Sequence, residues 1–302
     1  MRAASPAAAR PRPHPTPQPA IPLLPSSLTV SVVTFRPDIA LFERCLRTLA
    51  TAIANAREAG SIRSVAIALI DNSEDPKIAD DVIKHGWARF ANAGIQVTYL
   101  HGHANIGYGI AHNLMLHGTG ADYQIVLNPD VEMAPDAIAN AIAWLDVHPD
   151  VGALAPAVTQ PDGTPDFLCK RYPAVLDLFL RGFAPGFVRQ MFRKRLDHYE
   201  MRDRIDPASA EPVIGIPVMS GCCMLVRRKA IDATGGFDPR YFLYFEDFDW
   251  SMRLNKVTQC AYLPSFRIVH HGGHAADKGA HHVWLFAKSG VRFYSRHGWR
   301  WF

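Results

Sequence analysis

The side chains best suited to chemistry lie close together between residues 219 and 254. Glu246, Asp247 and Asp249 follow an aromatic run, Tyr-Phe-Leu-Tyr-Phe, at positions 241–245. Apolar surroundings raise the pKa of a carboxyl group toward the range in which it acts as a general base, and aromatic faces stack on sugars. The segment therefore favours acid–base chemistry. A helix that carries capping acids in its first turn is the structural alternative.

Two further positions could hold a divalent metal ion. Asp130 ends the tripeptide Asn-Pro-Asp after an apolar run, and Mg²⁺ or Mn²⁺ prefers a few protein oxygens together with substrate phosphates. His270 and His271 lie in a histidine-rich segment, and imidazole is a common metal ligand. Asn-Pro-Asp is also good turn chemistry, and taken alone the tripeptide favours a turn over a metal site.

Two other polar clusters suit a nucleotide. The sequence Asp-Asn-Ser at 71–73 offers a carboxylate for a nucleobase imide or a ribose hydroxyl, or else a helix cap. The loop at 103–109 has two glycines beside a helix start, which lets backbone N–H groups approach a phosphate or a ribose. It matches neither a dinucleotide-binding G-x-G-x-x-G pattern nor a P-loop, so a purely structural turn remains possible.

Polar residues follow each of four predicted β-strands, and three of the clusters above are among them. Uncharged apolar runs at 28–35, 65–70, 96–100 and 123–127 alternate with helical patterns. Strands and helices that alternate with short connections predict a doubly wound, mostly parallel α/β sheet flanked by helices. Because ligands bind at the carboxyl ends of the strands in such sheets, we expect the clusters to share one edge.

The composition is that of an ordinary globular protein. The 302 residues are 48% hydrophobic and 20% charged, and the formal net charge of +4 is only mildly basic. Such a charge suits nucleotide phosphates or a phospholipid surface, and we expect no nucleic-acid partner. The five cysteines form no C-x-x-C pair, so reduced thiols in the cytoplasm are expected. No segment approaches the roughly eighteen apolar residues of a membrane span, and the start lacks a secretory signal.

The two ends of the chain differ from its middle. Residues 1–27 are rich in Pro, Ala and Arg, which predicts a disordered tail, with an organelle transit peptide as the alternative. Stretches at about 176–204 and 292–302 mix aromatic and basic residues, as helices at a bilayer interface do. We therefore expect a cytoplasmic protein that binds peripherally to the inner face of the cytoplasmic membrane. Packing of the C-terminal helix on the rest of the protein is the alternative.

Taken together, these motifs resemble the family 2 glycosyltransferases, and among them the bacterial rhamnosyltransferase-like branch. The resemblance spans residues 28–302, and its pieces occur in the family's order. They are Val-Val-Thr-Phe at 32–35, Asp-Asn-Ser at 71–73, Asn-Ile-Gly-Tyr-Gly at 105–109 with Asn113, Leu-Asn-Pro-Asp at 127–130, Ser-Gly at 220–221, Gly-Gly-Phe-Asp at 235–238, Phe-Glu-Asp-Phe-Asp at 245–249, His270, and Lys-Ser-Gly-Val-Arg-Phe-Tyr at 288–294.

The resemblance implies a GT-A type, Rossmann-like fold and an inverting sugar transfer. The donor would be a nucleotide-diphosphate sugar, with dTDP-rhamnose favoured, and the acceptor a hydroxyl of a lipid-linked or polysaccharide glycan of the cell envelope. The catalytic domain would cover 28–265, with a nucleotide-binding half at about 28–132 and an acceptor half at about 133–265. A metal-ligand loop and an amphipathic helix would occupy 266–302.

The resemblance also implies a role for each matching residue. Asp247 would be the general base, with Glu246 beside it contacting the acceptor. Asp130 and His270 would hold Mg²⁺ or Mn²⁺, with His271 as the alternative ligand. The nucleotide sugar would be bound by Thr34, Phe35, Asp71, Asn72, Asn105, Gly107, Asn113, Asn128 and Asp130. The acceptor would be bound by Ser220, Gly221, Tyr244, Asp249 and Trp250.

One position departs from the family pattern. The metal motif of the family often has Asp where this chain has Asn128. One fewer carboxylate weakens the grip on a free ion, so the metal should arrive with the nucleotide diphosphate.

Two other functions compete with sugar transfer. A nucleotidyltransferase that acts on sugar phosphates would carry a Gly-rich loop with Lys or Arg near the first strand, which Thr34-Phe35-Arg36 does not supply. A non-catalytic carbohydrate-binding relative would have lost its acids, whereas Glu246 and Asp247 are both present.

Overall fold

The computed structural model describes residues 26–75, 77, 80–81, 84, 89–90, 93–272 and 279–302. The predicted N-terminal tail at 1–27 lies outside this part of the chain, except for Ser26 and Ser27, which already belong to the first strand.

The first half of the chain forms a parallel sheet, as predicted. Its strands lie in the order β3-β2-β1-β4, and every neighbouring pair is parallel. Helix α1 begins where the Asp38 carboxylate accepts from the N–H groups of Ala40 and Leu41, and it buries an apolar face at a helical spacing. The elements are β1 (Ser26–Thr34), α1 (Ile39–Glu58), β2 (Ile62–Asp71), β3 (Gln96–Leu100), α2 (Tyr108–Gly118) and β4 (Tyr123–Leu127).

The second half extends the same sheet. Strand β11 lies antiparallel between β4 and β6, β12 runs parallel to β6, and β5 closes this edge antiparallel to β12. The strands are β5 (Val131–Met133), β6 (Val151–Thr159), β7 (Pro165–Asp166), β8 (Cys169–Lys170), β9 (Val213–Ile214), β10 (Val218–Met219), β11 (Cys223–Arg227) and β12 (Gln259–His270). The helices are α3 (Ala137–Asp146), α4 (Val175–Phe183), α5 (Gly186–Met191), α6 (Arg193–Tyr199), α7 (Arg228–Thr234), α8 (Glu246–Leu254) and α9 (Gly279–His297).

Strand register brings the polar clusters together. Thr34 pairs with Asp71 at the ends of β1 and β2. At the end of β4, the Asn128 N–H donates to Cys222 O at 2.8 Å, because β11 begins opposite this point. At the end of β12, the N–H of the next residue donates to Asp130 O at 3.0 Å. The polar ends of β1, β2, β4 and β12 and the start of β11 thus lie along one edge of the sheet.

The C-terminal helix packs on the rest of the protein. Phe293 and Tyr294 are buried in α9, and their ring centroids lie 5.4 and 6.4 Å from that of Phe245. The exposed side of α9 includes Trp284 and Val291. Among the described helices, none is long and apolar enough to cross a membrane.

Two residues that the resemblance placed at the acceptor lie in the core instead. The Trp250 side chain is fully buried against Phe237, and its indole N–H donates to Thr234 Oγ1 at 2.9 Å. Asp249 is also fully buried, and its carboxylate accepts from Arg253 Nε at 2.7 Å. Positions 247 and 249 are about 200° apart around a helix, so when Asp247 faces a cavity, Asp249 faces inward.

Asn113 is a further correction. It was expected to line the nucleotide pocket, but both groups of its amide bind the backbone of Phe237. The side chain donates to Phe237 O at 2.7 Å and accepts from Phe237 N at 2.9 Å. A Cβ at Gly236 would lie 2.5 Å from Asn113 Oδ1, so the glycine makes this close approach possible. Asn113 therefore fixes the loop before α8.

We predict that Asp249→Ala lowers the free energy of unfolding by about 3–5 kcal/mol, because it leaves buried cations without their partner. Besides Arg253, the carboxylate pairs with His297 at 2.8 Å and Arg296 at 3.2 Å. The control is Asp232→Ala, whose carboxylate is 65% exposed and pairs with Arg228. This surface change should cost under about 1 kcal/mol. Equal losses for the two variants in urea unfolding would contradict the structural role of Asp249.

Candidate active site

Two adjoining cavities lie at the polar edge of the sheet. The first cavity, of about 380 Å³, lies at the ends of β1, β2 and β4. The second cavity, of about 550 Å³, lies beside the start of α8. Tyr108, Asn128 and Asp130 line both, so the cavities meet there. The predicted residues at the first cavity are Thr34, Phe35, Asn72, Asn105, Gly107, Asn128 and Asp130. Those at the second are Ser220, Gly221, Tyr244, Glu246, Asp247 and His270.

Asp71 lies beneath the first cavity rather than on its surface. Its Oδ1 accepts from Thr34 Oγ1 at 2.8 Å and from the hydroxyl of Ser73 at 2.8 Å, which holds the ends of β1 and β2 together. The second oxygen, Oδ2, is buried without a hydrogen-bond partner among the described residues. Most buried carboxylate oxygens in proteins have a partner, so Asp71 Oδ2 is an exception within the described part of the chain.

A tight loop forms another wall of the first cavity. The Asn72 side chain donates to Gly107 O at 3.3 Å, and Asn105 Oδ1 accepts from the Gly107 N–H at 3.0 Å. Gly107 has φ +90°, and a Cβ there would lie 2.6 Å from Phe242 O. Both the conformation and the close approach require glycine. The loop is thereby fixed against the segment that leads to α8.

The carboxylate pair of the second cavity follows a strained turn. Tyr244 and Phe245 have φ of 69° and 64°, a region that non-glycine residues rarely adopt. The turn starts α8 at Glu246, so that Asp247 lies in the first helical turn. Asp247 Oδ2 accepts from the Gly221 N–H and Oδ1 from the N–H of the next residue, both at 2.9 Å. The carboxylate is thus held in one orientation.

The two carboxyl groups share an apolar environment that disfavours charge. Burial, and then the neighbouring charge of Asp247, raise the pKa of Glu246 to about 8. Burial also raises the pKa of Asp247, against the backbone N–H groups that stabilise its charge. Glu246 Oε2 has no hydrogen-bond partner among the described residues. The pair therefore carries one proton near neutral pH, and the N–H donors favour Asp247 as the ionised member.

Asp130 and His270 form a pair at the junction of the cavities. Asp130 Oδ1 lies 3.5 Å from His270 Nε2. Burial would raise the pKa of Asp130, but the nearby His270 imidazole outweighs it and holds the pKa below its ordinary value. A Cβ at Gly272 would lie 2.7 Å from both Asp130 Oδ2 and His270 Nε2, so the glycine leaves this space open.

These donors fit a divalent ion that completes its shell with ligand oxygens. Asp130 Oδ1 and His270 Nδ1 are buried without hydrogen-bond partners among the described residues. In that same part of the chain, no group of three or more His, Cys, Asp and Glu side chains could hold a metal. One carboxylate and one imidazole leave most of the coordination shell to phosphate and water, as Mg²⁺ and Mn²⁺ allow.

His271 does not share this site. Its Nε2 lies 2.7 Å from Glu132 Oε1, and the residue does not line either cavity. Consecutive side chains of an extended strand point to opposite faces, so His270 and His271 at the end of β12 diverge. The geometry therefore favours His270 over His271 as the metal ligand.

Two residues of the site were missed from the sequence. The Tyr108 hydroxyl lies 2.9 Å from Asn128 Oδ1 and 2.7 Å from Gly221 O, so one side chain bridges the metal motif and the loop that holds Asp247. Its place in the Asn-Ile-Gly-Tyr-Gly sequence was a signal for it. His282 on α9 lines both cavities and its Nδ1 lies 2.9 Å from Tyr244 Oη. No local pattern marked His282.

Comparisons with known proteins agree with this geometry. The family described as Glycosyl transferase family 2 matches residues 39–235. N-acetylglucosaminyl-diphospho-decaprenol L-rhamnosyltransferase of Mycobacterium tuberculosis H37Rv is 32% identical over 288 residues, which cover 90% of this chain and 86% of the relative. Rhamnosyltransferase WbbL of Escherichia coli K12 is 25% identical over 158 residues, 51% of this chain and 53% of that protein.

Solved glycosyltransferases share the fold. The mannosyltransferase PcManGT of Pyrobaculum calidifontis, in complex with GDP-Man and Mn²⁺, has a TM-score of 0.58 at 17% identity, covering 90% of this chain and 64% of that one. GalNAc-T7 with UDP, GalNAc and Mn²⁺ has a TM-score of 0.59 at 16% identity, covering 89% and 48%. This chain spans less than two thirds of either structure. The expected GT-A fold is confirmed.

We predict that the free energy of unfolding falls less steeply with rising pH in Glu246→Gln than in the wild-type protein. The folded protein keeps this proton up to about pH 8, whereas the unfolded chain releases it near the ordinary value of 4.5. Between these values unfolding releases a proton, so the free energy of unfolding falls as pH rises. Urea unfolding near pH 5 and near pH 8 measures this slope.

The matched control is Glu211→Gln, at an exposed position. It should leave the slope of the wild-type protein unchanged. If Glu246→Gln also leaves the slope unchanged, Glu246 does not retain its proton in the folded state.

Proposed function

Because this chain belongs to glycosyl transferase family 2 and has the GT-A fold, we propose that it is an inverting rhamnosyltransferase. It moves a sugar from a nucleotide-diphosphate sugar, dTDP-rhamnose being favoured, to a hydroxyl of a lipid-linked glycan of the cell envelope. The observation that carries the proposal is that Asp130, at the junction of the two cavities, and His270 line the second cavity together with the carboxylate pair. The choice of rhamnose and of a lipid-linked acceptor is supported by the mycobacterial relative, whose name specifies both.

The first cavity is the proposed donor site. Phe35 is 47% exposed there and offers a ring on which the base stacks. Asp71 lies beneath this cavity and would act at the base or ribose through Thr34, whose hydroxyl donates to Asp71 Oδ1 at 2.8 Å and which lines the cavity. Asn72 and Asn105 line the same cavity, and the backbone of Gly107 permits close approach of the ribose or the diphosphate.

Asp130 and His270 would hold a divalent cation, Mg²⁺ or Mn²⁺, together with the donor diphosphate. The ion supplies positive charge to the leaving nucleoside diphosphate. Asn128 lies beside the pair and is positioned by the Tyr108 hydroxyl. Since the protein supplies few ligands, the ion should bind tightly only when the diphosphate is present.

The second cavity is the proposed acceptor site. The ionised Asp247 takes the proton of the acceptor hydroxyl, while the protonated Glu246 can donate a hydrogen bond to the same sugar. The acceptor oxygen forms its bond to the anomeric carbon as the bond from that carbon to the diphosphate oxygen breaks. A single displacement from the face opposite the leaving group inverts the anomeric centre. Ser220 and Tyr244 line the cavity around the acceptor.

Membership of the family removes the nucleotidyltransferase alternative. A non-catalytic relative remains the competing function, and release of nucleotide diphosphate from dTDP-rhamnose with added Mn²⁺ would exclude it.

An exposed surface of the chain supports a peripheral position on a membrane. The segments 175–204 and 279–302 carry eleven basic and four acidic side chains, a formal net charge of +7 against +4 for the whole chain. They form one surface, because Val175 N donates to Arg300 O at 2.8 Å. Its exposed apolar side chains, called here the aromatic-basic face, are Phe179, Phe183, Phe187, Met191, Trp299, Trp301 and Phe302. We therefore place this face on the cytoplasmic leaflet of the membrane.

We predict that the protein floats with vesicles that contain phosphatidylglycerol and floats less with neutral phosphatidylcholine vesicles. Phe187 and Met191 are 72% and 73% exposed, so replacing both by Ser should reduce flotation without loss of folding. The control is Val257→Ser, a 52% exposed position outside the face. Protein that stays wholly in the soluble fraction with both vesicles would contradict membrane attachment.

We predict that Asp247→Asn lowers the rate of transfer at least about a hundredfold, because the general base is lost. Binding of dTDP-rhamnose, followed by calorimetry with Mn²⁺ present, should be unchanged since Asp247 does not line the donor cavity. Asp232→Asn, at an exposed position of α7, is the control and should keep full activity. Transfer that persists in Asp247→Asn would overturn the assignment of the base.

A further inference from the structure

The rim of the second cavity is largely apolar, whereas its interior carries carboxyl groups. Three acids, Asp130, Glu246 and Asp247, lie inside, whereas the rim is built by α4 on one side and α9 on the other. Phe183 of α4 is 55% exposed and Val283 of α9 is 47% exposed, so the cavity opens to the outside between them. The opening is apolar on both sides.

Apolar surface continues from the carboxylates to this opening. The Phe286 ring lies 4.9 Å from that of Phe245, directly before Glu246. Leu178 packs in the same cluster from α4. Beyond the opening, the Phe179 ring lies 6.1 Å from that of Phe183 and is 56% exposed, which joins the rim to the aromatic-basic face.

A single cation lies at this rim. Among the described residues that line the second cavity, Arg181 is the one Lys or Arg. Its side chain is 45% exposed, and its Nε lies 3.4 Å from Glu200 Oε1. The guanidinium makes no other ion pair within the described part of the chain.

Glu200 does not neutralise Arg181. The same carboxylate lies 3.2 Å from Lys170 Nζ and 2.8 Å from Arg202 Nη2, so three cations contact one acid, and Arg202 also lies 3.3 Å from Asp197 Oδ1. Burial first, and then the charge of Arg181, lower the pKa of Lys170 to about 8. An anion at the rim would give the Arg181 guanidinium a second negative partner, and a guanidinium pairs well with phosphate oxygens.

We propose that the rim binds the diphosphate and the first isoprene units of the lipid-linked acceptor. The diphosphate lies at Arg181, and the prenyl chain lies along Phe183 and Val283 toward the membrane. The inference rests on the proposed function. The cavity carries carboxylates inside and one cation with apolar side chains at its rim, and such an acceptor carries a sugar, a diphosphate and a lipid.

The donor diphosphate is not the anion that Arg181 serves. Arg181 does not line the first cavity, whereas Asp130 lines both. Arg181 therefore acts on acceptor specificity, and its loss should leave donor binding intact.

The first test measures binding of farnesyl diphosphate by calorimetry. Arg181→Gln should weaken this binding roughly tenfold or more, since a charge-assisted hydrogen bond is lost, and Arg181→Lys should recover part of it. Farnesol and inorganic diphosphate should each bind more weakly than farnesyl diphosphate to the wild-type protein. Arg63→Gln, whose side chain is 55% exposed and paired with Asp122, is the matched control and should bind as the wild type does. Equal binding by Arg181→Gln and the wild type would overturn the proposal.

The second test compares two acceptors that carry the same sugar. One is linked through a diphosphate to a short prenyl chain, and the other is an octyl glycoside without phosphate. Arg181→Gln should raise the KM for the first roughly tenfold and leave the KM values for the second and for the donor unchanged. A similar loss with both acceptors would assign Arg181 a structural role and overturn the proposal.

The two tests separate this inference from the function on which it rests. If the wild-type protein transfers no sugar to either acceptor but binds farnesyl diphosphate through Arg181, the proposed function fails and the lipid-diphosphate site stands. If transfer to both acceptors is normal in Arg181→Gln, the function stands and the site fails. A melting temperature equal to that of the wild type shows that each variant is folded.

Discussion

The hydrogen bond from the Gly221 N–H to Asp247 Oδ2 is the contact on which the geometry of the site depends. Gly221 precedes β11, whose pairing with β4 is fixed by the sheet, and its carbonyl accepts from the Tyr108 hydroxyl. Through Tyr108 the same atoms connect to Asn128 beside the metal-binding pair. The proposed base and the proposed metal-binding residues are therefore positioned by one connected set of contacts, although they lie more than a hundred residues apart in the chain.

The start of α8 combines a strained backbone with a buried carboxyl group, and burial of that group is unfavourable. Tyr244 and Phe245 adopt a left-handed conformation, and Glu246 is 5% exposed with a raised pKa. Each feature costs stability, so the surrounding structure must offset it. The aromatic packing of Phe245 with Phe293 on α9 does so. The C-terminal helix is thus part of the catalytic architecture, and its buried face cannot also contact a membrane.

Much of the site was predictable because it follows directly from the ends of strands. Asp130 follows β4, and Asp247 begins a helix after an aromatic run, so local pattern was sufficient for both. The errors concern the direction in which a side chain points rather than its place along the chain. His271, Asp249 and Asn113 lie one to five residues from site residues, but strand alternation or helical phase turns each away. The direction of each side chain depends on the residue at which its helix or strand begins. The pattern of a single sequence defines that residue only to within a few positions.

The residues that were missed depend on tertiary contacts. His282 reaches the junction of the cavities only because α9 folds back on α8, and Arg181 becomes significant only because α4 and α9 flank one opening. Neither has a motif. The acceptor side of the enzyme is therefore harder to predict from sequence than the donor side, whose residues lie at the ends of consecutive parallel strands.

The central claim is a single displacement in which Asp247 takes the proton as the nucleotide diphosphate leaves. The most direct measurement is the anomeric configuration of the transferred sugar, determined by NMR on product made from dTDP-rhamnose of known configuration with Mn²⁺ and a prenyl-diphosphate-linked acceptor. A single displacement gives a configuration opposite to that of the donor. A product that retains the donor configuration would contradict it, because retention requires a second displacement or a different attacking face.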